Sequence, residues 1–299
     1  MMLFPPELRD LVIDGLHSDT AALRACSLTC KAWLPRARHH LFRTVHIHPG
    51  PRGDAFKLLL EANPEIGRYI RDVSISGVAT SPSTATLPVL SGRWPTLSAV
   101  NDEPPSTLKK PELRCVHWLQ SVLPASTKIL ARVRALTLFS LPIHQALAQL
   151  LGSHFGQVLI VKLDACKAET FGDLLSLPRA LTEVEHLRMD SVTWYRSTYP
   201  KLPTQAVSKQ SSLKSLALTA RVDSATIINW LVANRRYTSL TSLSVLLSSE
   251  CSVRAAQLLL DTVGPSLHEL SIGFSDHIRD PTGTQFYAPE KNENELSHA

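Results

Sequence analysis

The sequence predicts an α/β protein in which short parallel strands alternate with helices, stacked behind a small N-terminal module of three helices. Three observations predict it. First, an apolar-x-x-apolar-x-apolar pattern recurs at Val133/Leu136/Leu138, Val158/Val161/Leu163, Val184/Leu187/Met189, Leu213/Leu216/Leu218, Leu240/Leu243/Val245 and Leu267/Leu270/Ile272. Its middle anchors are spaced by 25, 26, 29, 27 and 27 residues. Second, the stretches between these patterns carry helical spacing. Phe171, Leu174 and Leu175 line one side of a helix, as do Ile227, Ile228, Trp230 and Leu231. Third, residues 1–48 hold three short helical segments and an alternating run.

The closing apolar-x-apolar step of each pattern puts two side chains on one face of a short strand. The spacing falls in the range of roughly 20–29 residues typical of leucine-rich repeats. An irregular leucine-rich-repeat solenoid is therefore expected over residues 49–279. One such unit cannot bury its apolar face alone, and neighbours bury it jointly. An ordinary parallel sheet also alternates strands with helices, but five consecutive steps sharing one apolar core favour the stack. An earlier unit is expected at Ile70, Val73 and Ile75, after an apolar helix around Phe56 to Leu60. The 61 residues from Ile75 to Leu136 are expected to hide an irregular or interrupted unit, for which Leu113/Val116/Trp118 is the awkwardly spaced candidate. Residues 81–111 hold six of the twenty prolines and read as a loop or insertion. The Asn or Cys usual just past a repeat strand occurs only at Cys166. Residues 280–299 form a polar tail with no capping repeat and are expected to be disordered.

Composition narrows the function classes. The chain has 299 residues, of which 44% are hydrophobic and 19% charged, enough for a large core without disulfide staples. A net charge of +5 is too mild to demand nucleic acid as partner. No apolar run approaches the ~20 residues of a membrane helix. Pro5, Pro6, Glu7 and Asp10 stand where a secretory signal needs a cationic start and an apolar stretch. Five scattered cysteines argue against a secreted disulfide framework. The expectation is a cytoplasmic or nuclear protein.

The N-terminal module carries the most specific signal. Pro5-Pro6-Glu7 opens a helix, since proline suits the first turn and an acid favours the dipole there. Leu8, Leu11, Val12 and Leu16 follow at helical spacing. After the turn at His17-Ser18-Asp19, Asp19 or Thr20 can cap a second helix through Ala22, Leu23, Cys26, Leu28 and Cys30. Trp33-Leu34-Pro35 ends or bends it, and Arg43 to His48 alternates like a strand. Too few residues surround these apolar side chains to bury them all. Some should form an exposed patch, which on a folded domain usually marks a partner site.

The run Phe4-Pro5-Pro6-Glu7-Leu8, with Val12, Leu16 and Ala22-Leu23-Arg24-Ala25-Cys26-Ser27-Leu28-Thr29-Cys30-Lys31-Ala32-Trp33, resembles an F-box of the large fungal families. The resemblance spans about residues 3–45, and Val184 to Trp194 resembles the irregular leucine-rich half of the same proteins more weakly. It implies a non-enzymatic substrate receptor of a Skp–cullin–F-box ubiquitin ligase. The module would dock a Skp-type adaptor, and through it a cullin, while the repeats present a protein substrate. The positions matching the adaptor-packing motif are Phe4, Pro5, Leu8, Val12, Leu16, Leu23, Thr29, Cys30 and Trp33. Phe4 stands where the family usually has Leu, and Thr29 where it usually has Val. A hydroxyl buried there without a partner would cost about 1–3 kcal/mol. The alternative is a leucine-rich scaffold with a vestigial F-box and no role in ubiquitin transfer.

Other chemistry finds little support, and no cofactor is expected. Cys26 and Cys30, with His39, His40, His46 and His48 nearby, lack the spacing of a zinc knuckle. No nucleophile elbow, zincin motif or phosphate-binding glycine loop occurs. Lys31, Arg36, Arg38, His39, His40 and Arg43 form a basic cluster that reads as a solvated helix face. On the repeats, side chains flanking the anchors are expected on a concave strand face: Thr137 and Phe139, Lys162 and Asp164, His186, Arg188 and Asp190, Ala217 and Thr219, Ser244 and Leu246. Among these, Phe139, Lys162, Asp164, His186, Arg188, Asp190 and Thr219 are the candidate substrate contacts.

Overall fold

Helix α1 (Pro6–Gly15) starts where Pro5 supplies an extended N-cap and Pro6 a preset first turn. The computed structural model describes residues 5–49, 51–77, 109–123, 127–196, 213–233 and 239–275. Phe4, most of the proline-rich stretch and the polar tail after 280 lie outside them.

Asp19 caps α2 (Thr20–Thr29), its carboxylate accepting from the Ala21 and Ala22 amides at 3.0 and 2.9 Å. Trp33 and Pro35 then open α3 (Leu34–Leu41), and the alternating run becomes β1 (Thr44–Ile47). The second layer follows with α4 (Pro51–Ala62), β2 (Asp72–Ser76), α5 (Lys109–Val122), β3 (Ala135–Phe139), β4 (Pro142–Ile143) and α6 (Gln145–Phe155). Next come β5 (Ile160–Asp164), β6 (Lys167–Thr170), α7 (Phe171–Ala180), β7 (His186–Asp190) and β8 (Thr193–Arg196). The described part ends with β9 (Ser215–Leu218), α8 (Ser224–Ala233), β10 (Ser242–Leu247), α9 (Glu250–Val263) and β11 (Glu269–Phe274).

Eight strands form one parallel sheet in the order β1-β2-β3-β5-β7-β9-β10-β11. Chain order and sheet order coincide, so each crossover leads to the adjacent position, an arrangement compatible with a solenoid-like stack. The anchors stand in one in-register row: Val45, Val73, Leu136, Val161, Leu187, Leu216, Leu243 and Leu270. Inward side chains from Val73 to Val245 are buried against the helices, and α6 packs on α7 as α8 does on α9. Gly152 permits the first of these contacts. A Cβ there would fall 2.9 Å from the Ala180 carbonyl oxygen. Among the described residues, no helix is long and apolar enough to cross a membrane.

A second periodicity accompanies the strands. Ser140, Ala165 and Ser191 directly follow β3, β5 and β7, and each has positive φ, at 51°, 52° and 52°. This left-handed residue turns the chain so that the next side chain, Leu141, Cys166 or Val192, enters the core. The Cys166 thiol there donates to the Leu138 carbonyl at 3.4 Å. The turned chain then forms the small parallel sheet β4-β6-β8. An alanine is strained in that conformation. Ala165→Gly should therefore stabilise the protein by about 0.5–1 kcal/mol, net of the entropy glycine adds to the unfolded chain, as read by denaturant melts.

Three expectations are corrected. Leu113/Val116/Trp118 belongs to a helix, α5, and not to a strand. That helix begins at Lys109, so Pro111 lies in its first turn, where proline is tolerated. Among the described residues no further strand stands between Ile75 and Leu136 in the sheet either. Strands β2 and β3 pair directly, Val73 against Leu136 and Ile75 against Leu138.

Candidate interaction surfaces

The N-terminal module has its own small core of Ile13, Leu23, Cys26 and Ala37, with Leu16, Trp33 and Leu41 packed against it. Four buried side chains cannot cover the apolar residues of three helices. Leu8, Leu11 and Val12 on α1 remain 46%, 64% and 45% exposed, and Leu28 on α2 is 86% exposed. The module leans on the stack through β1, which pairs with β2, and through an ion pair of Arg38 with Glu65 at 3.7 Å.

The motif positions fall into three groups. Pro5, Leu8, Val12, Thr29 and Cys30 are exposed, Leu16 and Trp33 are half-buried, and Leu23 is fully buried. Leu23 is thus a core residue of the module and presents no surface to a partner in this structure, because α2 turns it toward Ile13 and Ala37. The Thr29 hydroxyl donates to the Ala25 carbonyl at 3.0 Å. A partner packing on Thr29 would meet a satisfied hydroxyl, so the anticipated penalty does not arise. Leu11 and Leu28 were readable from the sequence as apolar helix positions. Only the packing shows that they face outward.

A charged clamp fixes the angle of α1. The Asp14 carboxylate accepts from Arg36 Nε and an Arg36 terminal nitrogen at 2.6 and 2.5 Å, and lies 2.8 Å from His40 Nε2. These hydrogen bonds, first from Arg36 and then from His40, hold the Asp14 carboxyl well below the usual carboxylate range. The folded state therefore keeps Asp14 ionised at pH values where the unfolded chain, with an ordinary value near 4, takes up a proton. The resulting stability is complete above that unfolded value and drains away as pH falls below it toward the folded value. Asp14 is 34% exposed, which screens the pair. Asp14→Asn should cost about 1–2 kcal/mol at neutral pH, and the deficit should shrink below about pH 4 in denaturant melts across pH.

The basic cluster is largely paired. Besides Arg36 and Arg38, Arg43 lies 3.9 Å from Asp72. Burial first, then the neighbouring His40 and arginines, pushes the His39 imidazole below its ordinary value. No stripe of free cations with exposed aromatics results. Cys26 is buried and Cys30 exposed, and among the described residues no group of three or more potential ligands gathers for a metal.

The helix-free face of the large sheet gathers the other candidates. Strands β3, β5 and β7 alternate between buried anchors and accessible neighbours. Register places Phe139 beside Asp164, Lys162 beside Arg188 and Asp164 beside Asp190. His186 starts β7 and is exposed. Burial and then the Asp190 charge raise the Asp164 carboxyl above its ordinary value, against a smaller opposing effect of Arg188. Thr219 lies at the rim, its hydroxyl donating to the Met189 carbonyl at 3.2 Å.

Compared with protein-family models and with curated proteins, the chain matches none.

Proposed function

We propose that this chain is a substrate receptor of a Skp–cullin–F-box ubiquitin ligase, an F-box followed by irregular leucine-rich repeats. It is not itself an enzyme. On this reading α1 docks a Skp-type adaptor, the adaptor brings the cullin, and the sheet face holds a protein substrate. The observation that carries the proposal is the apolar stripe of Leu8, Leu11 and Val12, left exposed on a module with only four core residues. Such a stripe at helical spacing suits a helix-in-groove contact. Coupling through β1 gives the recruited machinery a fixed position relative to the sheet face.

The test is capture of the full chain by the purified Skp-type adaptor of its own organism. Saturable one-to-one binding supports the reading. A folded chain that does not bind supports the scaffold alternative, in which the F-box is vestigial.

A further inference from the structure

The helix-free face of the large sheet has a bipolar charge pattern on its two central strands; the other carboxylates of the same register parity, Asp72 and Glu269, stand on the outer strands β2 and β11. Moving along β5 and β7 from their N-terminal ends, one passes Ile160 beside His186, then meets a row of two cations, Lys162 and Arg188, then a row of two carboxylates, Asp164 and Asp190. Adjacent strands are about 4.8 Å apart and residues two apart along a strand about 6.6 Å. Like charges therefore face each other across the strands, and opposite charges follow each other along them. The ion pairs of the described residues join other groups, so none of the four charges is neutralised by another within salt-bridge distance. The cation row is flanked by small uncharged residues, Thr137 on one side and Ala217 and Ser244 on the other, and the carboxylate row by Phe139.

Like charges opposite each other on a sheet are unfavourable in the free protein. A partner that neutralises both rows relieves that repulsion. Nucleic acid and other polyanions fail, because Asp164 and Asp190 repel them. A polycation fails on Lys162 and Arg188. We propose that this face binds an extended peptide segment of a protein substrate carrying an acidic residue and, two positions away, a basic one. The acidic side chain meets Lys162 and Arg188, and the basic one meets Asp164 and Asp190. An extended chain places residues i and i+2 on one side at the spacing that separates the two rows. Phe139, 36% exposed and in register with Asp164, offers its ring to the apolar stem of the basic side chain. The inference rests on the sheet face being the substrate-presenting surface, and it names the class of substrate.

The experiment titrates the full chain into three fluorescein-labelled peptides that differ only in a central Glu-Thr-Arg, Glu-Thr-Glu or Arg-Thr-Arg, read by fluorescence anisotropy. The mixed peptide should bind at least ~10-fold more tightly than either like-charged one. The preference should weaken at high salt. Lys162→Glu/Arg188→Glu should transfer it to Arg-Thr-Arg, and Asp164→Asn/Asp190→Asn should remove the discrimination between Glu-Thr-Arg and Glu-Thr-Glu. Equal binding of all three, no binding up to about 1 mM, or a preference unmoved by either double variant overturns the proposal. Adaptor capture is measured on the same preparations. Captured adaptor without peptide discrimination sinks the substrate class and leaves the ligase reading standing. Discrimination without capture does the reverse.

Discussion

Leu8→Glu/Val12→Glu should abolish capture of the Skp-type adaptor while leaving the chain folded. Both side chains lie on α1 and are about half exposed, so the free protein tolerates the change. Burial of one leucine or valine contributes about 1.5–3 kcal/mol. Placing carboxylates in the same contact adds a desolvation cost that no partner charge has been arranged to offset. Loss of at least ~100-fold in affinity follows, roughly 3 kcal/mol. Leu11, the most exposed of the three, should add to the effect. Leu23 and Trp33 are poor probes of the same contact. One is core and the other packs against it, so their alanine variants would disturb the module itself. Unchanged circular dichroism with lost binding identifies the stripe as the docking surface. Unchanged binding removes α1 from it.

Leu136→Ala and Leu270→Ala should differ sharply in stability although both replace the same anchor of the repeat. Leu136 is fully buried between β2 and β5 and against the helices. Its truncation removes buried methyl groups and leaves a cavity, for about 3 kcal/mol. Leu270 sits on β11, the last strand of the sheet among the described residues, and is 50% exposed. Its truncation should cost under ~1 kcal/mol. Denaturant melts of the two variants provide the comparison. Similar losses would mean that something covers β11 in solution. Ile272 and Phe274, 39% and 64% exposed on the same strand, show how much apolar surface such a cover would bury.

The strands were legible because their signal is local. An apolar-x-apolar step needs only neighbours in sequence, and the repeat of 25 to 29 residues marks the anchor of each strand. A cap for α2 at Asp19 or Thr20 was legible for the same reason, since a cap acts within three residues, and Asp19 supplies it. The α5 pattern misled because the three-residue step from Leu113 to Val116 also suits a helix, a period that Leu119 and Val122 continue. Short apolar runs do not separate the two periods.

By itself the sequence determined the alternation of strand and helix, the inward row of anchors and the helical N-terminal module, because each follows from periodicity along the chain. Only the tertiary structure decided which apolar residues are left over. Leu23 and Leu28 lie on one helix and look alike in sequence, yet one is buried and the other exposed, because α2 has a single face toward Ile13 and Ala37. It also decided that Asp14, Arg36 and His40 meet, and that Lys162 and Asp164 acquire like-charged neighbours in Arg188 and Asp190. Those contacts join residues 22 to 26 positions apart. Charge at such separations acts only once packing has brought the groups within a few ångströms.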